Sequence, residues 1–228
     1  MPAPTVAPAP LQNGDRLSRD DFERRYHAMP HVKKAELIEG RVYMPSPTHA
    51  DAHGRPHSIL AGWLLFYEAY TDYVYAYDNA TVRLDLDNEV QPDVLLRIDE
   101  DACGQSRISD DDYVEGAPEL VVEVAHSSAA YDLHDKKTAY RRNGVQEYVV
   151  WQIEENQVDG FALDGTAYTT REATKGMIES RVFPGLVLDV GALLERDVAG
   201  VLDAVRESVG GAAHREFVAG VEEKSQRG

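Results

Sequence analysis

Glu119-Leu120-Val121-Val122-Glu123-Val124-Ala125 is an apolar, β-branched run, and Val145-Gln146-Glu147-Tyr148-Val149-Val150-Trp151 is a second one. Runs of this kind form central strands covered on both faces. Between them, Tyr131 to Asn143 has helical spacing, and Gly144 stands at the C′ position that ends helices. A strand, a helix and a strand in this order predict one right-handed parallel crossover.

Upstream, Val90 to Ile98 reads as a neighbouring strand, Thr81 to Leu86 as a half-buried antiparallel strand with period two, and Val74 to Asn79 as a short strand. Ile59, Leu60, Trp63, Leu64, Tyr67 and Tyr70 recur at helical spacing, which predicts a helix over 53–70 with Pro56 in its first turn. Ala35 to Met44 predicts a strand pair, or one strand bulged at Gly40, ended by Pro45-Ser46-Pro47. Ser18-Arg19-Asp20-Asp21 is a variant capping box, and Leu17 and Phe22 sit at staple positions, so a first helix starts there. Residues 99–118 are acidic and loop-like. Asp110-Asp111-Asp112 lacks the spacing of a calcium loop. Short strands follow over 157–188, and a helix over 191–209.

The expected architecture is one α/β domain with a central mixed β-sheet, mostly antiparallel, flanked by helices. It spans 15–207, with a disordered or extended Pro/Ala-rich arm over 1–14 and a polar tail over 208–228. At 228 residues and 43% hydrophobic content the chain can build a sizeable core. No apolar run approaches the ~20 residues that cross a bilayer, so no membrane partner is expected. The single cysteine, Cys103, fits a reducing cytoplasm. The net charge of -17 opposes any nucleic-acid partner, which would need a local basic face, a bridging metal or an oligomer.

Three charged side chains stand out against this scaffold. Glu123 lies inside an apolar strand, where an acid is costly without a partner or a metal. Alternation puts it on the face of Val121 and Ala125, opposite Val122 and Val124. Asp93 opens the neighbouring predicted strand. If the two strands are adjacent, the two carboxylates come within ~5 Å, given the strand spacing. Their repulsion would be relieved by a hard divalent cation. Lys136 shares a helix face with Asp132 and Tyr140 at i,i+4 spacing, and Lys137, Arg141 and Arg142 add positive charge to the same helix. The plainer reading is a salt bridge between Glu123 and Lys136, with Asp93 capping a turn.

These pieces, in order, resemble the Uma-type family of bacterial restriction-endonuclease-like proteins within the PD-(D/E)XK superfamily. The matching segments are Glu36-Leu37-Ile38-Glu39-Gly40, Pro45-Ser46-Pro47 with His53, Gln91-Pro92-Asp93, Ala117 to Val124, Asp132 with Lys136 and Tyr140, Gly144 to Tyr148, and Val182 to Leu186. The resemblance implies a restriction-endonuclease-like core and metal-dependent hydrolysis of phosphodiester bonds in DNA. Asp93 and Glu123 would hold Mg2+ or Mn2+, and Lys136 would be the catalytic lysine. It is displaced to the helix, because Ala125 occupies the usual lysine position. Glu36 would be an accessory acid, and His53 would approach a phosphate or cap a helix. Asp132 and Tyr140 would support Lys136. The segment Ala125-His126-Ser127-Ser128 replaces the family's Ser-Pro turn, and Val149 replaces its Trp. A homodimer would suit a duplex of two-fold symmetry. The alternative is a catalytically inactive binding or regulatory protein that keeps the fold.

Overall fold

The computed structural model describes residues 7–44, 50–126 and 132–227, apart from the side chains of Ala52 and Asp132. The expectations placed on Pro45-Ser46-Pro47, on Ser127-Ser128 and on the side chain of Asp132 therefore lie outside the described residues. In chain order, helix α1 is Arg19–His27, and strands β1 (Glu36–Ile38) and β2 (Arg41–Tyr43) form a hairpin. Helix α2 is Arg55–Glu68. Strands β3 (Val74–Asp78), β4 (Val82–Arg83), β5 (Glu89–Val90), β6 (Val94–Ile98), β7 (Arg107–Ile108), β8 (Val114–Glu115) and β9 (Leu120–Ala125) follow. Helix α3 (Lys137–Asn143) leads into β10 (Glu147–Gln152), β11 (Gln157–Asp164), β12 (Ala167–Arg171), β13 (Met177–Glu179) and β14 (Val187–Asp189). Helices α4 (Val190–Leu194), α5 (Val198–Ser208) and α6 (Ala212–Ser225) close the chain.

The strands form a main sheet in the order β12-β11-β10-β9-β6-β3, a second sheet in the order β2-β1-β5-β4-β8-β7, and the pair β13-β14. In the main sheet β9 and β10 are parallel, joined through α3 as the strand–helix–strand pattern predicts, while β6 runs antiparallel to β9. Every residue of β9 is buried, because helices and loops cover both faces. Val122 and Val124 pack with Ile59, Trp63 and Tyr67 of α2 and with Val201 and Val205 of α5. Val121 and Ala125 pack with Tyr140, Tyr148 and Val150 in a separate core. Glu123 thus projects into the second core, on the face that alternation assigns to it.

The predicted strand over Val90 to Ile98 is broken. Pro92 has no N–H for a ladder, so pairing stops at Val90 and resumes at Val94. The two pieces belong to different sheets, β5 to the second and β6 to the main one. Gln91-Pro92-Asp93 is therefore the hinge between the sheets. The predicted strand over 81–86 shortens to Val82–Arg83, because the Leu84 N–H turns back to the Asn88 carbonyl at 3.0 Å. The helix predicted over 191–209 divides at Arg196, whose φ of 57° is left-handed, and restarts after the N-cap Asp197.

The described parts of the two terminal segments are anchored to the domain. In the 7–14 part of the arm, Leu11 is buried and the Gly14 N–H donates to the Val42 carbonyl at 2.8 Å. Residues 212–225, within the expected polar tail, are a helix. Its His214 and Val221 are buried, the Phe217 ring meets Phe183, and His214 Nε2 lies 3.0 Å from Thr71 Oγ1.

The second sheet carries a buried acid that sets a pH dependence. Burial first, and then the adjoining Glu23 carboxyl, raise Glu89 from 4.5 to about 8 against the pull of Arg83 and Arg19. The folded chain keeps a proton that the unfolded chain releases near 4.5. This contribution to stability is therefore complete below pH 4.5 and is lost as pH climbs through about 8. Urea unfolding across this range is expected to show wild-type stability declining, and Glu89→Gln, which stays neutral throughout, is expected to flatten the decline. An unchanged slope in the variant would contradict the assignment.

Candidate functional site

The hinge Gln91-Pro92-Asp93 and the middle of β9 meet at one point. The antiparallel register pairs Val94 with Val122, so Asp93 comes to stand across from Glu123. The Asp93 N–H donates to Glu123 Oε2 at 3.3 Å, and the Val124 N–H donates to Asp93 Oδ2 at 2.8 Å. The two acids expected to be neighbours are neighbours, and the backbone fixes their spacing.

Lys136 reaches the pair from the crossover. It closes a π-helical turn, Asp132–Lys136, that runs directly into α3. Its Nζ donates to Glu123 Oε1 at 2.8 Å and lies 3.0 Å from Glu36 Oε1. Tyr140, one turn along, donates its hydroxyl to the same Glu123 oxygen at 2.9 Å. Glu36 also accepts the Gln91 N–H at 2.8 Å, which ties the second sheet to the hinge. On the far side of Asp93, His53 Nε2 is 3.2 Å from Oδ2 and Lys34 Nζ is 3.9 Å from Oδ1. The structure thus gathers Glu36, His53, Asp93, Glu123, Lys136 and Tyr140 from five separate segments of chain.

Glu36, Asp93, Glu123 and Lys136 are 2%, 3%, 2% and 3% exposed. Burying that many charges costs several kcal/mol per ion unless partners offset it. Among the described residues, three carboxylates face one fully buried ammonium, with the partly exposed Lys34 at the rim. Burial alone would raise the Asp93 carboxyl. The His53 hydrogen bond and the charges of Lys34, His53 and Lys136 outweigh it and hold the group well below the usual carboxylate range. Asp93 enters any reaction near neutral pH as an anion.

Such a donor set fits a hard divalent cation. A carboxylate oxygen can accept more than one bond. Glu123 Oε2 accepts the Asp93 N–H at 3.3 Å, and Asp93 Oδ1 has Lys34 Nζ at 3.9 Å. The surplus negative charge is the feature a cation would balance.

The basic residues on α3 are spent elsewhere. Lys137 lies over the Phe161 ring at 3.4 Å, Arg141 donates to the Thr166 carbonyl at 2.6 Å, and Arg142 pairs with Glu39. Two side chains that the sequence reading passed over also belong to the neighbourhood. Lys34 is one. His57 is the other, four residues after His53, and that i,i+4 spacing at a helix start was the available signal.

Tyr140→Phe is expected to destabilise the fold by about 1.5–3 kcal/mol, the range for a hydrogen bond to a charged group. Urea titration measures it. A loss below about 0.5 kcal/mol would mean that Glu123 does not depend on the phenol.

Residues 19–191 match the family Uma2, described as "Putative restriction endonuclease". No curated protein matches the chain. Among solved structures, the chain is similar to "a putative nuclease belonging to DUF820 from Anabaena variabilis". The TM-score is 0.56 at 14% identity, over 75% of this chain and 96% of that one. That likeness supports the mixed α/β fold.

Proposed function

The chain belongs to the Uma2 family, and from that premise we propose that it is a metal-dependent nuclease that hydrolyses phosphodiester bonds of DNA. The observation that carries the proposal is the register-enforced pairing of Asp93 with Glu123, both buried, with Lys136 on Glu123.

In this reading Asp93 and Glu123 would hold Mg2+ or Mn2+, as the PD-(D/E)XK pattern implies. The cation would supply a water acidic enough to attack and would offset charge on the phosphate. The chain's own residues do the rest. The Val124 N–H and the His53 ring fix the Asp93 carboxylate, and the Tyr140 hydroxyl and Lys136 fix Glu123. Lys136 places a positive charge beside the reacting centre in a buried setting, where such a charge acts strongly on developing negative charge. Glu36 holds Lys136 from the opposite side. The net charge of -17 gives DNA no general attraction, so the proposed enzyme depends on this local constellation and on divalent cations for its grip.

Nicking of supercoiled plasmid with magnesium or manganese tests the proposal. Cleavage by the wild type that is lost in Asp93→Asn supports it, and equal cleavage by the two overturns it. The competing reading is a binding protein that has kept the fold and lost the chemistry. It draws on the enclosure of Lys136 between two carboxylates, and absence of metal-dependent cleavage in the wild type would favour it.

A further inference from the structure

His53 and His57 lie one helical turn apart. His53 sits in the π-helical turn Ala50–Gly54, and His57 in the first turn of α2 that continues it. Their rings meet edge to face, with centroids 5.7 Å apart and planes at 86°. The turn is held in place. Ser58 Oγ donates to the Gly54 carbonyl at 2.8 Å, and Arg196 donates to the Asp51 carbonyl at 3.1 Å. Asp93 reaches the pair from the hinge, and ligand atoms of His53, His57 and Asp93 all lie within 4.8 Å of one another.

We propose that His53, His57 and Asp93 form a binding site for an imidazole-favouring divalent cation of the zinc and cobalt class. It is separate from the hard-cation position between Asp93 and Glu123 and shares only Asp93 with it. Two nitrogens and one carboxylate are the donor set that zinc and its neighbours prefer and that magnesium does not. Two ligands of one tetrahedral zinc, each about 2.0–2.1 Å from it, are about 3.3 Å apart. His53 Nε2 and Asp93 Oδ2 already stand at 3.2 Å. Bringing in the third ligand takes a movement of about 1.5 Å at most on the same geometry, within reach of a rotation of the His57 ring.

A second observation points the same way. His57 Nε2 is buried and has no hydrogen-bond partner among the described residues, although Asp78 Oδ1 is 2.5 Å away. Asp78 is mostly exposed, and the contact is made without a hydrogen bond. A buried imidazole nitrogen that makes no hydrogen bond is an available ligand atom for a cation. Three protein ligands would leave one coordination position open, the pattern of reactive rather than purely structural metal sites. Asp93 would be shared by the two positions, with its Oδ2 beside His53. The proposal extends the nuclease reading through Asp93 but needs none of its chemistry.

Cobalt titration of the metal-free full chain, followed by the visible d–d bands, tests the site without an activity assay. Circular dichroism checks the fold of each variant. The wild type is expected to bind one cobalt ion per chain with a tetrahedral-type spectrum, and zinc is expected to displace it. His57→Gln and His53→Gln are each expected to weaken binding at least about 10-fold, since even outer partners of a metal ligand cost that much. Either one suffices if the other misfolds. Glu123→Gln is expected to keep the spectrum. Wild-type affinity in both histidine variants, or no d–d band in the wild type, would overturn the site. Cobalt binding intact in a chain that cleaves no DNA with any metal would instead overturn the nuclease proposal and leave the histidine site standing.

Discussion

Asp93→Asn is expected to lower the plasmid-cleavage rate by about 10³-fold, equivalent to ~4 kcal/mol of lost transition-state stabilisation. Asparagine has nearly the same shape, and its carbonyl oxygen can still accept the Val124 N–H that Asp93 Oδ2 accepts at 2.8 Å. What it lacks is the negative charge. His53, Lys34 and Lys136 hold Asp93 as the anion, and asparagine removes the charge that they face. The β9–β6 register survives the change, because it is set by backbone pairing from Val94 to Leu96. Activity should therefore collapse while the circular dichroism spectrum stays close to wild type, with the unfolding midpoint lowered by the lost contacts of the anion with His53, Lys34 and Lys136. Glu123→Gln is expected to lose a comparable factor. A variant that cleaves within 10-fold of wild type, on the scale of 1.4 kcal/mol, would remove Asp93 from the mechanism. A variant that unfolds would show instead that the acid is mainly structural.

Lys136→Met is expected to destabilise the chain by about 3–5 kcal/mol, the usual cost of leaving a buried charge without its partner. Lys136 is the shared counter-ion of Glu123 at 2.8 Å and Glu36 at 3.0 Å, and all three are essentially inaccessible to water. Methionine fills the space but leaves two carboxylates facing each other. For a chain of this size the loss corresponds to roughly 6–20 °C in Tm. Adding Glu123→Gln to Lys136→Met should restore part of the stability. That non-additivity is the signature of groups acting on one another directly. Scanning calorimetry of the two single variants and the double variant measures it. A loss under about 1 kcal/mol in Lys136→Met would place the lysine in the range of exposed pairs and contradict its role as the keystone of the cluster.

Much of this site could be read before any coordinates. Glu123 declares itself because it is an acid inside Leu120-Val121-Val122-Glu123-Val124, and burial of such a group demands a partner. Alternation then fixes which face it uses, and the helical repeat brings Lys136 and Tyr140 to the same oxygen. The parts that stayed hidden depend on tertiary context. Pro92 ends one ladder, but nothing local says that the chain on either side joins different sheets. The π-helical turns at 50–54 and 132–136 resemble ordinary helix starts in periodicity, although they aim His53 and Lys136. The basic side chains of α3 look like a surface for phosphate, but packing turns them to Phe161, the Thr166 carbonyl and Glu39. The helix at 212–225 is too polar for a strong apolar stripe, and it is held because His214 packs on Tyr67 and Phe217 on Phe183.

The most direct test of the account is a crystal grown with manganese and measured for anomalous scattering. The account predicts a peak about 2.1 Å from one oxygen of Asp93 and one of Glu123, the distance for a hard, octahedrally coordinated cation. No peak between those two carboxylates, in a protein that cleaves DNA with the same metal, would contradict it.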